Sequence, residues 1–171
     1  MRAAWIVMTL AIFPGGLLGD ETQAAPALTS TLLSESPADA RLIYHIAECD
    51  GPEVVECETV SFACPDQTFS MNVAGLSEGD VSAWFKRGPS ATTTFGNKKS
   101  IKWAASELAF SELDGAWTAS LAPEEASPAD FIALTKQATQ LTVNGPAKPI
   151  VLPLTPKDQA NFAKLGKACI Q

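Results

Sequence analysis

Alternation of apolar and polar positions predicts strands in the first half of the chain. In residues 68–73, Phe69, Met71 and Val73 alternate with polar residues, as in a strand with one buried face. Residues 57–64 are rich in valine, threonine and phenylalanine, and they also fit a strand. The stretch before them, from Ser36 to Cys49, fits either a helix start or a strand, and alternation within it favours a strand.

Turn residues predict two hairpins farther along. Asp114 and Gly115 lie between two alternating segments, and an Asp-Gly pair in that position is a strong hairpin signal. Residues 144–146, Asn-Gly-Pro, separate two further apolar runs in the same way. Pro153 cannot donate a hydrogen bond to a neighbouring strand, so the second run is expected at a sheet edge.

Two amphipathic helices are predicted near the C-terminus. Ser127 and Thr155 are each followed by proline, which places a hydroxyl at the N-cap and proline at the first helical position. Apolar residues then recur at helical spacing in both segments. The two faces are Phe131, Leu134 and Ala138, and Phe162, Leu165 and Cys169. Residues 77–88 are ambiguous, fitting either a short capped helix or another strand.

These elements predict an α+β protein. We expect an antiparallel β-sheet or sandwich with two C-terminal amphipathic helices, stapled by disulfides. Residues 37–171 form a single domain of ordinary size on this interpretation. Residues 25–36 are small and polar, and they are expected to form a flexible N-terminal segment.

The first 24 residues have the layout of a secretory signal peptide. Arg2 precedes an apolar run over residues 3–13, and small residues precede a cleavage position near Ala24. The run is shorter than the roughly 20 residues that a membrane-spanning helix needs. We therefore expect a periplasmic or secreted protein with no integral membrane segment after processing.

Four cysteines in an exported protein predict two disulfides. A strand over residues 57–64 would hold the Cα atoms of Cys57 and Cys64 about 23 Å apart, at roughly 3.3 Å per residue. A disulfide needs the two Cα atoms within about 7 Å. The favoured pairing is Cys49–Cys57 with Cys64–Cys169. Cys49 and Cys57 flank the turn residues 50–52, Cys64 shares an apolar strand face with Val60 and Phe62, and Cys169 lies on the apolar face of the last helix. The exchange pairing, Cys49–Cys64 with Cys57–Cys169, stays open.

Motifs for catalysis or cofactors are hard to find in the sequence. It contains no GxSxG, SxxK, HExxH, GxGxxG or P-loop pattern, and no cofactor is predicted. His45 is the only histidine, and a hydrolase or a metal-binding protein would have to use it. The spacing of His45 from the cysteines does not match a zinc site, so no metal ligands are assigned. An enzyme stays the less favoured interpretation.

Charge separates one local segment from the rest of the chain. The formal net charge is −7, which disfavours nucleic acid as a partner because phosphates would repel the protein. Within residues 84–103, however, cations alternate with aromatic residues. The candidate binding residues are Trp84, Lys86, Arg87, Lys98, Lys99, Lys102 and Trp103. The simpler and favoured interpretation is a hairpin whose lysines are solvated and whose aromatic residues belong to the core.

Element order suggests a family. A cysteine-bearing strand, the segment WAASELAFSELDGAW, the helix ADFIALTKQA and a last helix NFAKLGKAC ending in cysteine follow one another between residues 57 and 169. This order resembles small periplasmic accessory proteins of the type VI secretion-associated TagO kind and, more loosely, the invasion-associated locus B proteins. The latter usually carry a different cysteine pattern. The resemblance implies a non-enzymatic envelope protein and carries over no catalytic residue.

The function expected from the sequence is that of an exported, non-catalytic binding or accessory module of the cell envelope. Its partner would be an envelope protein or another envelope component, bound through a sheet edge or the 84–103 segment. The alternatives are a periplasmic hydrolase or metal-binding protein that uses His45, and a purely structural envelope protein.

Overall fold

A computed structural model describes residues 28–34, 40–46, 58–65, 68–96 and 99–170. Within these residues the chain forms nine strands and three helices. The strands are β1 Leu28–Ser34, β2 Arg41–Ile46, β3 Glu58–Ala63, β4 Ser70–Leu76, β5 Ser90–Phe95, β6 Lys99–Ser111, β7 Ala116–Pro123, β8 Gln140–Asn144 and β9 Ile150–Pro153. The helices are α1 Glu78–Arg87, α2 Pro128–Thr135 and α3 Pro156–Cys169.

All nine strands belong to one antiparallel sheet. Their order is β1-β2-β3-β4-β7-β6-β5-β8-β9, and the sheet curls until β1 contacts β9, so that it nearly closes into a barrel. The predicted α+β class, with an antiparallel sheet and two C-terminal helices, is confirmed. Of the two arrangements expected, the chain forms the single sheet and not the sandwich.

The predicted turn and cap residues begin or end elements at the positions expected from the sequence. Both predicted hairpins form, β6–β7 and β8–β9, and β9 is the last strand of the sheet. Gly115 closes the first turn with φ +62°, a conformation that glycine adopts at little cost. Residues 78–87 form α1, with Ser77 as the N-cap and Gly88 at the C-cap, so the helical interpretation of this segment is the correct one.

The core lies between the concave face of the sheet and the two C-terminal helices. Phe131 of α2 and Phe162 of α3 approach Phe62 of β3, with ring centroids 5.1 and 5.2 Å from its ring. Trp103 of β6 packs 5.7 Å from Phe131. Both helices therefore bury their predicted aromatic residue inside the curled sheet.

A disulfide ties the last helix to the sheet. It joins Cys64, directly after β3, to Cys169, the last residue of α3, with Cα atoms 5.4 Å apart. This is the pairing that the sequence favours, and it excludes the exchange alternative. Cys49 and Cys57 lie outside the described residues.

The N-terminal part of the domain differs from expectation. Residues 28–34 of the expected flexible segment 25–36 form β1, which pairs with β2. The alternation that would have predicted this strand is hidden by Ser30, a polar residue that is fully buried. Its hydroxyl donates to the carboxylate of Asp158 on α3, so a serine occupies a core position. Residues 1–27, which include the predicted signal peptide, lie outside the described part of the chain.

A small polar cluster holds the seam where the two ends of the sheet meet. Ser30 of β1 donates to Asp158 and accepts a hydrogen bond from Asn161 Nδ2 at 3.2 Å. Tyr44 Oη of β2 donates to the carbonyl oxygen of Pro153 in β9 at 2.9 Å. These contacts join β1, β2, β9 and α3, which are distant in sequence.

Candidate binding surfaces

The two tryptophans of the 84–103 segment are core residues. Trp84 is buried and its indole N–H donates to the carbonyl oxygen of Ser90 at 2.7 Å. Trp103 is buried and donates to Thr93 Oγ1 at 2.9 Å. Phe85, by contrast, is half exposed on α1. Both tryptophans, which would contact a partner only in the less favoured interpretation, therefore lie in the core, as the favoured interpretation expects.

The cations of this segment that the structure describes do not form one cluster. Lys86 and Arg87 end α1, just before β5 begins, whereas Lys99 pairs with the last residue of β5. The two ends of Ser90–Phe95 are about 17 Å apart at roughly 3.3 Å per residue. Lys98 lies outside the described residues. The structure therefore distributes these charges along β5.

Acidic neighbours also offset the charge of Lys102. A shallow depression of about 380 Å³ is lined by Lys102 together with Glu124, Glu125 and Asp130. Arg87 is exposed but makes an intramolecular hydrogen bond, since its Nη2 donates to the carbonyl oxygen of Gly145 at 3.2 Å. A ligand with several negative charges would meet repulsion beside Lys102.

His45 is buried on β2. It is 2% exposed, and its Nε2 lies 3.1 Å from Thr31 Oγ1. Among the described residues, no three histidine, cysteine, aspartate or glutamate side chains are grouped so as to hold a metal ion. The hydrolase and metal-binding alternatives that use His45 stay predictions.

A row of polar side chains crosses the outer face of the sheet, and no pattern in the sequence predicts it. Arg41 Nε and Asn72 Nδ2 both donate to Ser61 Oγ, at 3.3 and 3.2 Å. Ser120 Oγ donates to Asn72 Oδ1 at 2.8 Å. The row spans β2, β3, β4 and β7 and borders a groove of about 620 Å³. No sequence motif connects these residues because each comes from a different strand.

This polar row is largely satisfied by its own members. Arg41 Nη2 forms an ion pair with Glu58 Oε2, and the Glu58 side chain is only 5% exposed. Glu58 Oε1 is the one buried side-chain oxygen or nitrogen in the described part of the chain that lacks a hydrogen-bond partner. The Arg41–Glu58 pair is formally neutral, so the row offers little net charge to a ligand.

The end of the β6–β7 hairpin exposes a group of large apolar side chains, here called the hairpin patch and defined as Phe110, Leu113 and Trp117. Leu113, in the turn, is 94% exposed, and Phe110 is 49% exposed. Phe110 and Trp117 are cross-strand partners with ring centroids 5.0 Å apart, and Trp117 packs against the core. The patch thus has a fixed aromatic base and an exposed aliphatic tip.

Hydrogen bonds hold the turn that carries Leu113. Ser111 Oγ donates to Asp114 Oδ2 at 2.7 Å, and the Asp114 backbone N–H donates to Ser111 Oγ at 3.3 Å. The Gly115 N–H also donates to the Ser111 carbonyl oxygen at 2.9 Å. A turn fixed in this way loses little conformational entropy when it binds a partner.

The exposure of the hairpin patch could not be predicted from the sequence pattern. Phe110 alternates with Leu108 beyond the irregularity between Ala105 and Glu107, and Trp117 alternates with the buried Ala119, so both look like core residues in a sequence pattern. Their exposure depends on how far this hairpin extends beyond the helices that cover the concave face. The single local hint is Leu113, an apolar residue inside a turn otherwise formed by Glu112, Asp114 and Gly115.

Comparisons with known proteins give no match to a family model, to a curated protein or to a solved structure. Separately, none of the helices in the described part of the chain has the length and apolar character needed to cross a bilayer.

Proposed function

We propose that this protein is an exported, non-catalytic binding module of the cell envelope that docks to a protein partner through the hairpin patch. The observation that carries the proposal is the exposure of Leu113 in the turn that joins the strands of the Phe110–Trp117 pair. The signal-peptide pattern of residues 1–24 supports export. The Cys64–Cys169 disulfide also supports it, since such bonds persist in oxidising compartments.

Docking of a protein partner on the hairpin patch is favoured over addition of a partner strand to a sheet edge. The two edge strands, β1 and β9, contact each other, so a partner strand would have to enter between them to pair with either edge. Tryptophan, tyrosine and arginine are the residues that most often dominate the affinity of protein interfaces, and Trp117 brings one of them to the patch. Exposed apolar clusters of this kind commonly mark interaction sites.

The 84–103 segment is a weaker second surface. Its tryptophans are buried, and its described cations are spread along β5. Charge reversal at Lys99 and Lys102 measures what it contributes. We expect capture of the partner to be reduced much less by this change than by changes in the hairpin patch.

Affinity capture from envelope extract tests the proposal. The mature protein is compared with the variant Phe110→Ser/Leu113→Ser, and captured proteins are identified by mass spectrometry. Val151→Ser is the matched control, since Val151 is 52% exposed on β9 and lies outside the patch. Unfolding curves first establish that all three proteins are folded.

The proposal expects at least one envelope protein that wild type and Val151→Ser capture equally and that the patch variant loses. Equal recovery by all three proteins would place binding elsewhere on the molecule. Fractionation of the host, with the protein found unprocessed in the cytosol, would remove the envelope part of the proposal.

A further inference from the structure

Charge is distributed unevenly along the part of the sequence that contains the hairpin patch. The sequence contains no lysine or arginine between Lys102 and Lys136. The same interval contains six acidic residues: Glu107, Glu112, Asp114, Glu124, Glu125 and Asp130. Glu112 and Asp114 are both exposed, and they directly flank Leu113 in the turn. The most exposed apolar side chain of the patch is therefore bracketed by two carboxylates.

From this arrangement we infer that the partner presents an apolar pocket rimmed by lysine or arginine. The inference rests on the proposed function, and it adds the chemistry of the partner. Leu113 and Phe110 would fill the pocket, while the carboxylates of Glu112 and Asp114 would face the cationic rim. Complementary charge of this kind steers association and discriminates against partners whose rim is acidic.

Two other occupants have to be distinguished from such a partner. A bilayer surface with anionic headgroups attracts cations and repels carboxylates, so it disfavours a tip carrying Glu112 and Asp114. A second copy of the chain offers a depression lined by Ile132 and Ile170 with Lys136 and Lys167 beside them. Self-association is therefore tested directly: a dimer of the mature protein that Leu113→Ser abolishes would overturn the inference of a separate partner.

The test uses a phage-displayed library of random peptides selected against the folded, oxidised mature protein. Binders are then sorted by whether the variant Leu113→Ser loses them. We expect the binders that depend on Leu113 to combine an aromatic or aliphatic anchor with flanking lysine or arginine. Chemically synthesised copies of the best binders provide the dissociation constants for the next step.

Charge variants test the rim itself. Glu112→Lys/Asp114→Asn changes the charge beside Leu113, and asparagine keeps an acceptor for the hydroxyl of Ser111. Glu124→Lys/Glu125→Gln makes the same charge change outside the hairpin and is the matched control. We expect the hairpin variant to bind the peptides about tenfold more weakly at low salt, with the difference largely screened at about 0.5 M salt.

The outcomes separate the two proposals. If no selected peptide depends on Leu113, the hairpin patch does not bind protein segments, and the proposed function fails together with this inference. Peptides that depend on Leu113 but are neutral or acidic, or whose affinity responds equally to both charge variants, would overturn the inference alone. Leu113-dependent basic peptides that respond only to the hairpin variant support both.

Discussion

Tyr44 shows how one buried residue joins distant parts of the chain. It is the only tyrosine, and its hydroxyl donates to Pro153 across the seam of the sheet. Burial raises the pKa of this phenol above its ordinary value of 10.0, and the nearby charge of Asp158 raises it further. The folded protein therefore keeps the Tyr44 proton at pH values where the unfolded chain loses it.

The stability of the protein should fall with rising pH above about 10, the ordinary tyrosine pKa. In that range the folded state binds more protons at Tyr44 than the unfolded state, so the free energy of unfolding decreases by up to about 1.4 kcal/mol per pH unit from this residue. Tyr44→Phe should be less stable near neutral pH, by about 1 kcal/mol for the lost hydrogen bond, but should lack this decrease.

Urea unfolding of wild type and Tyr44→Phe, at about pH 8 and about pH 11, measures the difference. Because there is a single tyrosine, its near-ultraviolet absorbance follows ionisation directly. Ionisation of Tyr44 in the folded protein at its ordinary pKa would contradict the buried hydrogen bond to Pro153.

Residue patterns predict surface and core correctly where polarity and burial agree. Phe69, Met71 and Val73 are buried as their alternation predicts. The burial of Ser30 is not predicted by alternation, because it depends on a hydrogen bond to Asp158, a residue 128 positions away in sequence. A buried serine with a distant partner looks identical, in sequence, to a serine in solvent.

At the scale of elements, all three helices begin with the same capping box. In α2, Asp130 accepts hydrogen bonds from the backbone N–H and hydroxyl of Ser127, and these bonds lower its pKa. Asp158 accepts the corresponding hydrogen bonds from the backbone N–H and hydroxyl of Thr155 in α3. Asp158 differs because it is buried and also accepts from Ser30 of β1, so its helix start is part of the seam.

Removing the carboxylate of Asp158 should therefore lower the free energy of unfolding more than removing that of Asp130. Asp158→Ala loses the cap, worth about 1 kcal/mol, and takes a partner from the buried Ser30 hydroxyl, at about 1–3 kcal/mol. We expect a total loss of about 3 kcal/mol. Asp130→Ala removes only the exposed cap of α2 and should cost less. Denaturant unfolding of both variants checks this, and equal losses would mean that the Ser30 contact contributes nothing.

Elements were predictable where their signals are local. The caps at Ser127 and Thr155 and the turn at Asp114 and Gly115 all specify structure within a few residues, and each element forms. The exposure of Phe110 was not predictable, because it depends on the length of the whole hairpin relative to the helices. The separation of Lys86 from Lys99 was likewise not predictable, because it depends on β5, which lies between them.

At the scale of the whole molecule, strand order depends on pairings between distant segments. Antiparallel pairing joins β4 to β7 and β5 to β8, and no turn residue specifies either contact. The cysteines carry one long-range constraint that the sequence does reveal. Cys64 and Cys169 both lie on predicted apolar faces, and their disulfide joins positions 105 residues apart.

Replacing both cysteines, as Cys64→Ala/Cys169→Ala, should destabilise the fold by about 4–5 kcal/mol, since a loop of this length is costly to close in the unfolded chain. Cys49→Ala/Cys57→Ala is the control, and it should cost less because any loop between those positions is short. Urea unfolding without reductant compares the two with wild type. A larger loss in the control would show that the long-range bond does not dominate.

The central claim is that the hairpin patch contacts a protein in the envelope, and photo-crosslinking in the living host tests it most directly. A photoreactive amino acid replaces Leu113 in one strain and Val151 in a control strain. The account predicts a discrete protein adduct from position 113, of larger mass than the protein alone, and none of that mass from position 151. Identical adducts from both positions, or only lipid adducts at 113, would contradict it.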